Sequence, residues 1–127
     1  MKIDRLDHLV LTVRDIEASI SFYEKVLGMR AITFGEGRRA LTFGQQKINL
    51  HSSLEPVAPH ALNPLPGSAD LCLIAATPID EAIAHLRAQG VAIEAGPVPR
   101  TGALGAIVSV YFRDPDGNLI EVSNYAE

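Results

Sequence analysis

The sequence predicts an α+β fold in which a β-α-β-β-β pattern occurs twice in tandem. Strand-like segments alternate between apolar and other residues, and two further segments carry apolar residues at helical spacing. Matching positions in the two halves lie 62 residues apart, as His8 and Asp70 do. A period of two is typical of half-buried strands, whereas recurrence every three or four residues is typical of amphipathic helices.

The first half begins with a strand and a helix. The strand, over 6–13, has apolar residues at every second position from Leu9 to Val13. Asp15 is a suitable N-cap for the helix that follows, and Gly28 is typical of a helix end. Between them apolar residues recur at helical spacing: Ile16, Ile20, Tyr23 and Leu27. Three more strands are predicted, over 29–34, 39–43 and 46–51.

The second half repeats this order. A strand over 70–75 is followed by Thr77 as an N-cap and by Pro78 at the first helical position. The apolar stripe of this helix consists of Ile79, Ile83 and Leu86, and Gly90 ends it. We expect strands over 91–94, 107–113 and 119–124, with a loop over 95–106 and a tight turn over 114–118.

We interpret residues 1–127 as a single domain made of two modules. Module one covers about 1–55 and module two about 69–127, and a linker over about 52–68 contains four prolines. A chain of this length is able to bury roughly two thirds of its unfolded surface.

Composition excludes several classes of protein. The net charge is −4 and the densest basic spot is Arg38-Arg39, so no nucleic-acid or membrane-surface partner is expected. No apolar run is long enough to span a bilayer, and the first residues lack the apolar core of a signal peptide. The single cysteine, Cys72, excludes an internal disulfide and is interpreted as a small buried apolar side chain. We therefore expect a cytoplasmic protein.

One face of the predicted sheets is unusually polar. The strand positions that alternate with the apolar ones carry His8, Thr12, Lys47, Asn49, His51, Asp70, Cys72, Ser109, Tyr111, Arg113, Glu121 and Ser123. A sheet with one hydrated face explains the alternation. A face that is merely hydrated usually carries long charged side chains, whereas this one includes two histidines and two carboxylates. That choice of residues favours a functional site.

Motifs near both ends of the chain resemble a known superfamily. They are DHLVL (7–11), DI (15–16), FYEKVLGM (22–29) and FRDPDGNLIE (112–121). These motifs resemble the opening and the last hairpin of the vicinal-oxygen-chelate superfamily, which includes glyoxalase I, fosfomycin-resistance proteins, extradiol dioxygenases and bleomycin-resistance proteins. Within it, KINLH (47–51) and GPVPRTG (96–102) look most like the glyoxalase-domain-containing protein 5 group. The resemblance covers nearly the whole chain.

The resemblance implies that the two modules curl into a half-open barrel of mixed sheet around one divalent metal ion, with the helices on the outer face. It places metal ligands on the first and fourth strand of each module, which here carry His8, Asn49, Asp70 and Glu121. His8 and Glu121 match the residues that the superfamily commonly uses. Asn49 stands where glyoxalase I has glutamate, and Asp70 stands where histidine is usual. The resemblance also implies a homodimer.

Two residues compete to complete the metal shell. His51 lies two residues beyond Asn49 on the same face, and it would give a set of two histidines and one carboxylate. Such a set suits Fe(II), Mn(II) or Zn(II). Direct coordination by Asp70 would give an oxygen-rich set, which favours Mn(II), Mg(II) or Ni(II). Asn49 is then expected to support the ligands or contact the substrate.

Three further residues are candidates for contact with the substrate. Tyr111 has the strand parity expected of an acid–base group, although packing on its neighbours explains it as well. Arg100, in the loop rich in glycine and proline, suits a carboxylate or phosphate group, and Arg113 flanks the same face. His60 and His85 are expected to be surface residues.

These residues favour a metal-dependent enzyme of the lyase or isomerase type that chelates neighbouring oxygens of a small molecule. Glu121 would bind the metal ion (Fe, Mn, Ni or Zn) and move a proton. An extradiol-type, ring-cleaving dioxygenase with Fe(II) is one alternative. A metal-free ligand-binding protein like the bleomycin-resistance proteins is the other, and it is expected to use aromatic residues. The chain has only three tyrosines, four phenylalanines and no tryptophan, so this expectation is poorly met.

Overall fold

The computed structural model describes residues 1–126 and confirms the α+β fold, with two helices and eight strands in two four-stranded mixed sheets. In chain order the elements are β1 (His8–Val13), α1 (Ile16–Leu27), β2 (Arg30–Phe34), β3 (Arg38–Phe43), β4 (Gln46–Ser52), β5 (Asp70–Ile74), α2 (Ile79–Ala88), β6 (Ala95–Gly102), β7 (Gly105–Arg113) and β8 (Leu119–Tyr125). Neither of these helices is long and apolar enough to cross a lipid bilayer.

The chain divides into two units, Met1–Gly67 and Ser68–Glu127, and each contains one sheet and one helix. The strand order is β1-β4-β3-β2 in unit 1 and β5-β8-β7-β6 in unit 2. In both units the first strand pairs in parallel with the last, and the other pairs are antiparallel. Because the two orders match strand for strand, the predicted repeat of β-α-β-β-β is confirmed.

Helix α1 begins and ends at the predicted residues. The Asp15 side chain accepts a hydrogen bond from the backbone N–H of Ala18 at 3.1 Å, which satisfies one donor of the first turn. At the other end Gly28 has φ +65°, and its N–H donates to the carbonyl of Glu24 at 3.1 Å. This left-handed conformation suits glycine because glycine has no Cβ. The buried side of the helix includes Tyr23.

Helix α2 begins without a side-chain cap. Pro78 is its N-cap residue, in an extended conformation with ψ 143°, and no side chain accepts from the first turn. The prediction of Thr77 as the N-cap is therefore wrong, because the proline itself is the last non-helical residue. The Thr77 carbonyl instead accepts from Asn124 Nδ2 at 3.0 Å. On the apolar side of the helix Leu86 is fully buried, as predicted.

The prediction is also wrong around β6. No strand forms over 91–94, and most of the predicted loop over 95–106 belongs to β6 and to the beginning of β7. β6 is an edge strand, where Pro97 and Pro99 are tolerated because their missing N–H groups are not needed by a further strand. Prolines and glycines usually indicate a loop, so the sequence pattern pointed away from a strand here.

Each sheet buries one face against the helix of its own unit, and the opposite face carries the polar residues. The buried face contains Leu11, Val13, Ile48 and Leu50 in unit 1, and Val110, Phe112, Ile120 and Val122 in unit 2. These positions follow the predicted period of two. The candidate functional side chains therefore project from the face that points away from the helix.

The turn between β7 and β8 is organised by one buried carboxylate. Asp114 Oδ1 accepts from the backbone N–H groups of Asp116 and Asn118, both at 2.9 Å, and Asp114 Oδ2 accepts from Asn118 Nδ2 at 2.8 Å. Asn118 Oδ1 in turn accepts from the Ala69 N–H at 2.9 Å. Because Ala69 directly precedes β5, the turn also fixes the start of β5 beside β8.

We expect Asp114→Ala to lower the free energy of unfolding by about 3 kcal/mol, because it removes the acceptor for two backbone N–H groups and one amide in a buried turn. Urea unfolding followed by circular dichroism measures this loss. Asp4→Ala is the control, since the Asp4 side chain is 83% exposed. It should change stability by less than about 0.5 kcal/mol. Similar losses in both variants would contradict the role given to the Asp114 carboxylate.

Candidate functional site

Three of the predicted site residues line one cavity in unit 2: Arg100, Tyr111 and Glu121. The cavity has a volume of about 390 Å³, within the range of small-molecule sites. Its other lining residues are Cys72, Ile74, Thr101, Gly102, Ala103, Ile107 and Tyr125. Strand register explains the grouping, because Glu121 on β8 pairs with Tyr111 on one side and with Cys72 on the other.

Two serines orient the carboxylate of Glu121. Ser109 Oγ donates to Glu121 Oε2 at 2.6 Å, and Ser123 Oγ lies 3.4 Å from the same oxygen. The two hydroxyl oxygens lie 2.6 Å apart, and both serines are fully buried. Buried hydroxyls have no water with which to exchange these partners, so they fix the direction of the carboxylate. An ionised carboxylate accepts about four hydrogen bonds, so it keeps lone pairs for a metal ion or a substrate proton.

Arg100 and Tyr111 form a second polar pair at this cavity. Arg100 Nε donates to Tyr111 Oη at 3.0 Å, and Arg100 Nη1 donates to the Pro99 carbonyl at 3.0 Å. Arg100 lies on β6, opposite Ile107, and not in a loop as predicted, so sheet pairing holds its backbone. The guanidinium has further N–H donors for an anion. Since Tyr111 Oη accepts from the arginine, its own proton is available to another acceptor.

Cys72 lines the same cavity, and the prediction of a small buried side chain is wrong. The residue is exposed, because it lies on the polar face of the edge strand β5. Its Sγ lies 3.3 Å from Ser123 Oγ. Partial burial raises the pKa of the thiol; the hydrogen bond with Ser123 lowers it, and the charge of Glu121 raises it. The net shift is upward, so the thiol stays protonated at neutral pH.

Arg113 and Asp70 lie on the polar face of unit 2 but do not line its cavity. The Arg113 guanidinium donates to both carboxylate oxygens of Glu94 at 3.0 Å, and Nη1 donates to the Gly117 carbonyl at 3.2 Å. The hydrogen bond from Arg113 holds the pKa of Glu94 below its usual value. Asp70 is exposed and interacts with the charge of Arg113. A role for Arg113 in substrate binding stays a prediction.

In unit 1, His8 at the start of β1 has the hydrogen bonding expected of a metal ligand. His8 Nδ1 lies 2.8 Å from Asp7 Oδ2. A carboxylate only accepts, so Nδ1 donates this hydrogen bond and Nε2 is the ring nitrogen left for a metal ion. The hydrogen bond from His8 lowers the pKa of Asp7, which is therefore ionised. Metal-binding histidines commonly donate their second ring N–H to a carboxylate in this way.

Asn49 lies on the same polar face, on β4, with one polar atom unsatisfied. The residue is 8% exposed, and its Oδ1 is buried with no hydrogen-bond donor among the described residues. Exchanging the amide oxygen and nitrogen would bury an unpaired N–H group instead. In either orientation the unpaired atom costs about 1–3 kcal/mol. Such groups are rare in folded proteins, and their retention often reflects a functional role.

His51 lies farther along β4 and lines a different cavity from the one that contains Glu121. His8 pairs with Lys47, whereas His51 pairs with Thr12, four residues along β1. This separation corresponds to roughly 13 Å along the strand. The cavity of His51 has a volume of about 310 Å³, and it is also lined by Val10, Thr12, Ser52, Pro56, Val57, Pro59, His60, Ala61 and Pro64.

The ligands that the resemblance implies do not form a complete metal shell within residues 1–126. No three His, Cys, Asp or Glu side chains in that range form a group that could hold a metal ion. Two side chains of suitable chemistry are each oriented by a hydrogen bond: His8 by Asp7, and Glu121 by Ser109. Imidazole nitrogen and carboxylate oxygen both suit first-row divalent metals. The ligand set stays a prediction.

Sequence reasoning missed several contributors to these sites. Ser109 and Ser123 share the strand parity of Glu121, so parity identified their face but gave no reason to assign them a role. Asp7 directly precedes His8, and a carboxylate beside a candidate ligand was a usable signal. His60 is exposed, as predicted, yet it lines the cavity of unit 1. No local pattern indicated that this segment lies against the sheet.

A family model matches most of the chain. The model described as Glyoxalase/Bleomycin resistance protein/Dioxygenase superfamily matches residues 5–122. Glyoxalase domain-containing protein RDO1 of Mycosarcoma maydis is 50% identical over 127 residues, which cover 100% of this chain and 72% of that protein. This match extends the similarity over the full length of both units.

Two bacterial proteins are more similar still. Virulence protein STM3117 of Salmonella typhimurium is 58% identical over 98% of this chain and 87% of that protein. Its crystal structure superposes with a TM-score of 0.98 over 99% of this chain and 100% of that one. Integron cassette protein VCH_CASS1, from the mobile metagenome of V. cholerae, is 62% identical with a TM-score of 0.97, over 99% of this chain and 98% of that one.

Proposed function

The chain belongs to the Glyoxalase/Bleomycin resistance protein/Dioxygenase superfamily, and we propose that it is a divalent-metal-dependent enzyme of the lyase or isomerase type. Its substrate is a small molecule that presents two neighbouring oxygen atoms. The observation that carries the proposal is the Glu121 carboxylate, which Ser109 holds at 2.6 Å in the wall of a cavity of about 390 Å³.

His8 and Glu121 are the proposed metal ligands, and register favours Asp70 over His51 as the third. His8 on β1 pairs with Lys47 on β4, and Asn49 lies two residues after Lys47. In the same way, Asp70 on β5 pairs with Leu119 on β8, and Glu121 lies two residues after Leu119. His51 lies two residues farther along β4 than Asn49, so it does not occupy the position equivalent to Glu121. The resulting oxygen-rich set suits Mn(II) or Ni(II).

The metal ion, when bound, would supply Lewis-acid polarisation of the substrate oxygens. The chain's own residues would provide binding and proton transfer. Glu121 would accept a proton from the carbon beside a substrate carbonyl, while Ser109 keeps its carboxylate in one orientation. Tyr111 donates its phenol proton to a substrate oxygen, and Arg100 binds an anionic group of the substrate.

We further propose that the protein acts as a homodimer in the cytoplasm. Both sheets have open edges, at β1 and β2 in unit 1 and at β5 and β6 in unit 2, and unpaired edges favour coverage by another chain. Val10 and Ile74 are apolar and are 46% and 53% exposed on the polar faces. The free thiol of Cys72 suits a reducing compartment. Analytical ultracentrifugation at micromolar concentration measures the mass, and a pure monomer would contradict the dimer.

The enzyme proposal predicts a bound metal. Protein purified without chelators should contain close to one first-row metal ion per chain, measured by plasma mass spectrometry. Metal-loaded protein in D₂O should also exchange the proton beside the carbonyl of small α-hydroxy ketones, which NMR detects directly. Chelator-treated protein is the control and should lose this exchange.

Other outcomes would support the alternatives. Oxygen consumption with catechols by the Fe(II)-loaded protein would favour a ring-cleaving dioxygenase. Protein that is purified free of metal and takes up no Mn, Fe, Ni or Zn on reconstitution would refute the enzyme proposal. Tight binding of a flat organic ligand by such metal-free protein would favour a bleomycin-resistance-like binding role.

A further inference from the structure

The segment between β4 and β5 forms one wall of the cavity in unit 1. Six residues between positions 56 and 64 line the cavity together with residues of β1 and β4, and its volume is about 310 Å³. Val10 and His51 contribute from the strands, and Val57 and His60 contribute from the segment. This volume lies at the lower end of the range for pockets that hold small organic molecules.

The lining of this cavity is mostly apolar. Two valines, three prolines and one alanine are among its ten lining residues. Burial lowers the pKa of His51, and the charge of Arg38 lowers it further. His60 Nδ1 lies 2.8 Å from the Ala61 carbonyl, which only accepts, so Nδ1 donates this hydrogen bond. Such a lining suits an apolar molecule with few polar atoms.

Arg38 does not line the cavity, but it lies on the strand next to His51 and has no carboxylate partner among the described residues. Arg39 pairs with Leu50 across β3 and β4, so Arg38 projects next to His51, about one strand spacing of 4.8 Å away. Among residues 1–126, no carboxylate forms an ion pair with Arg38. The guanidinium is therefore free to bind an anion from solution.

An aromatic ring positions this cation. The guanidinium carbon of Arg38 lies 4.8 Å from the centre of the Phe34 ring, and Lys47 Nζ lies 3.8 Å from the same centre. Cation–π contact restrains both side chains on the polar face. Lys47 also interacts electrostatically with Asp7, which already accepts a hydrogen bond from His8. The strands place no acidic residue on this face of the unit 1 sheet.

We propose that unit 1 binds a small amphiphilic carboxylate, whose apolar body occupies the cavity under residues 53–67 and whose carboxylate pairs with Arg38. The planar fork of a guanidinium matches a carboxylate with two parallel hydrogen bonds. The imidazoles of His51 and His60 bind the polar atoms of the body. This site needs no metal ion and shares no lining residue with the cavity of Glu121, so it goes beyond the proposed enzyme activity.

A matched pair of probes tests the proposal on chelator-treated, full-length protein. 2-Naphthoate carries the proposed apolar body and carboxylate, and 2-naphthamide is its uncharged isostere. Isothermal titration calorimetry should show that naphthoate binds at least about tenfold more tightly, because hydrogen bonds to a charged group are stronger. The imidazole NMR signals of His51 and His60 should shift on binding, and that of His85, on α2, should not.

Two variants separate the charge from the cavity. Arg38→Gln should abolish the preference for naphthoate, so that both probes bind about equally. Arg30→Gln is the matched control, since β2 places Arg30 on the same sheet face at a distant position, and it should keep the preference. Val57→Trp should fill the cavity and weaken both probes by about tenfold or more. Val57 is 47% exposed, so the folded chain has room for the larger side chain.

Several results would overturn the proposal. They are equal affinity of wild type for the two probes, no binding of either at millimolar concentration, a preference that survives Arg38→Gln, or unchanged binding by Val57→Trp. Because the protein is metal-free throughout, none of these results bears on the metal site. Conversely, the absence of metal uptake would refute the proposed enzyme without affecting the binding of naphthoate.

Discussion

We expect Gly96→Ala to lower the free energy of unfolding by about 4 kcal/mol or more, one of the largest losses that a single substitution causes. Gly96 lies on β6 with φ +103°, a conformation that other residues rarely adopt. A Cβ at this position would overlap the backbone carbonyl oxygen of Ser109 and lie 2.9 Å from Val110 Cα. Both atoms belong to the backbone of β7, so the two strands would have to separate.

Gly28→Ala is the matched control for this experiment. Gly28 also has positive φ, at +65°, but a Cβ there would meet nothing within 4 Å. Its replacement by alanine should therefore lower the free energy of unfolding by only about 1 kcal/mol, which is the cost of a left-handed conformation for a residue with a Cβ. Urea unfolding followed by circular dichroism gives both values. Equal losses in the two variants would show that steric overlap between β6 and β7 does not contribute to the loss of stability.

We expect Glu121→Ala and His8→Ala each to weaken metal binding by about 100-fold or more, since loss of a supporting residue alone costs 10–100-fold. Glu121 contributes a carboxylate fixed by Ser109, and His8 contributes the nitrogen left free by its bond to Asp7. Competition with a fluorescent chelator measures the dissociation constant, and plasma mass spectrometry measures retained metal.

Two variants on helix α2 are controls for these substitutions. His85→Ala and Glu81→Ala remove the same chemical groups from exposed positions outside the proposed site, and both should keep the affinity of wild type. Circular dichroism confirms that each variant is folded. Wild-type affinity in both Glu121→Ala and His8→Ala would refute the proposed ligands, and a loss in only one would leave that residue as the ligand.

Local sequence signals predicted most of the fold because local chemistry determines these elements. Asp15 and Gly28 bound α1 through a cap hydrogen bond and a left-handed residue, and both types of residue are recognisable in sequence. Alternation in β1, β4, β7 and β8 separated the buried face from the polar face, since side chains of a strand point to opposite sides. The same alternation predicted that Glu121 and Tyr111 share a face.

The errors arose where tertiary position overrides local preference. Pro97 and Pro99 indicated a loop, but an edge strand accepts them. Cys72 was predicted to be buried because free cysteines usually are, yet it is exposed on the polar face. Whether His51 is a metal ligand stays a prediction, since its distance from His8 depends on the register between two strands far apart in sequence, which alternation alone does not give.

The proline-containing edge of β6 has a consequence for aggregation. A sheet edge with free N–H groups is a template on which further strands add, and this addition leads to fibrils. Pro97 and Pro99 have no N–H to offer, so a strand that docks on β6 would lack regular hydrogen bonds. The two residues that made β6 hard to recognise in the sequence therefore protect this edge of unit 2 against uncontrolled sheet growth.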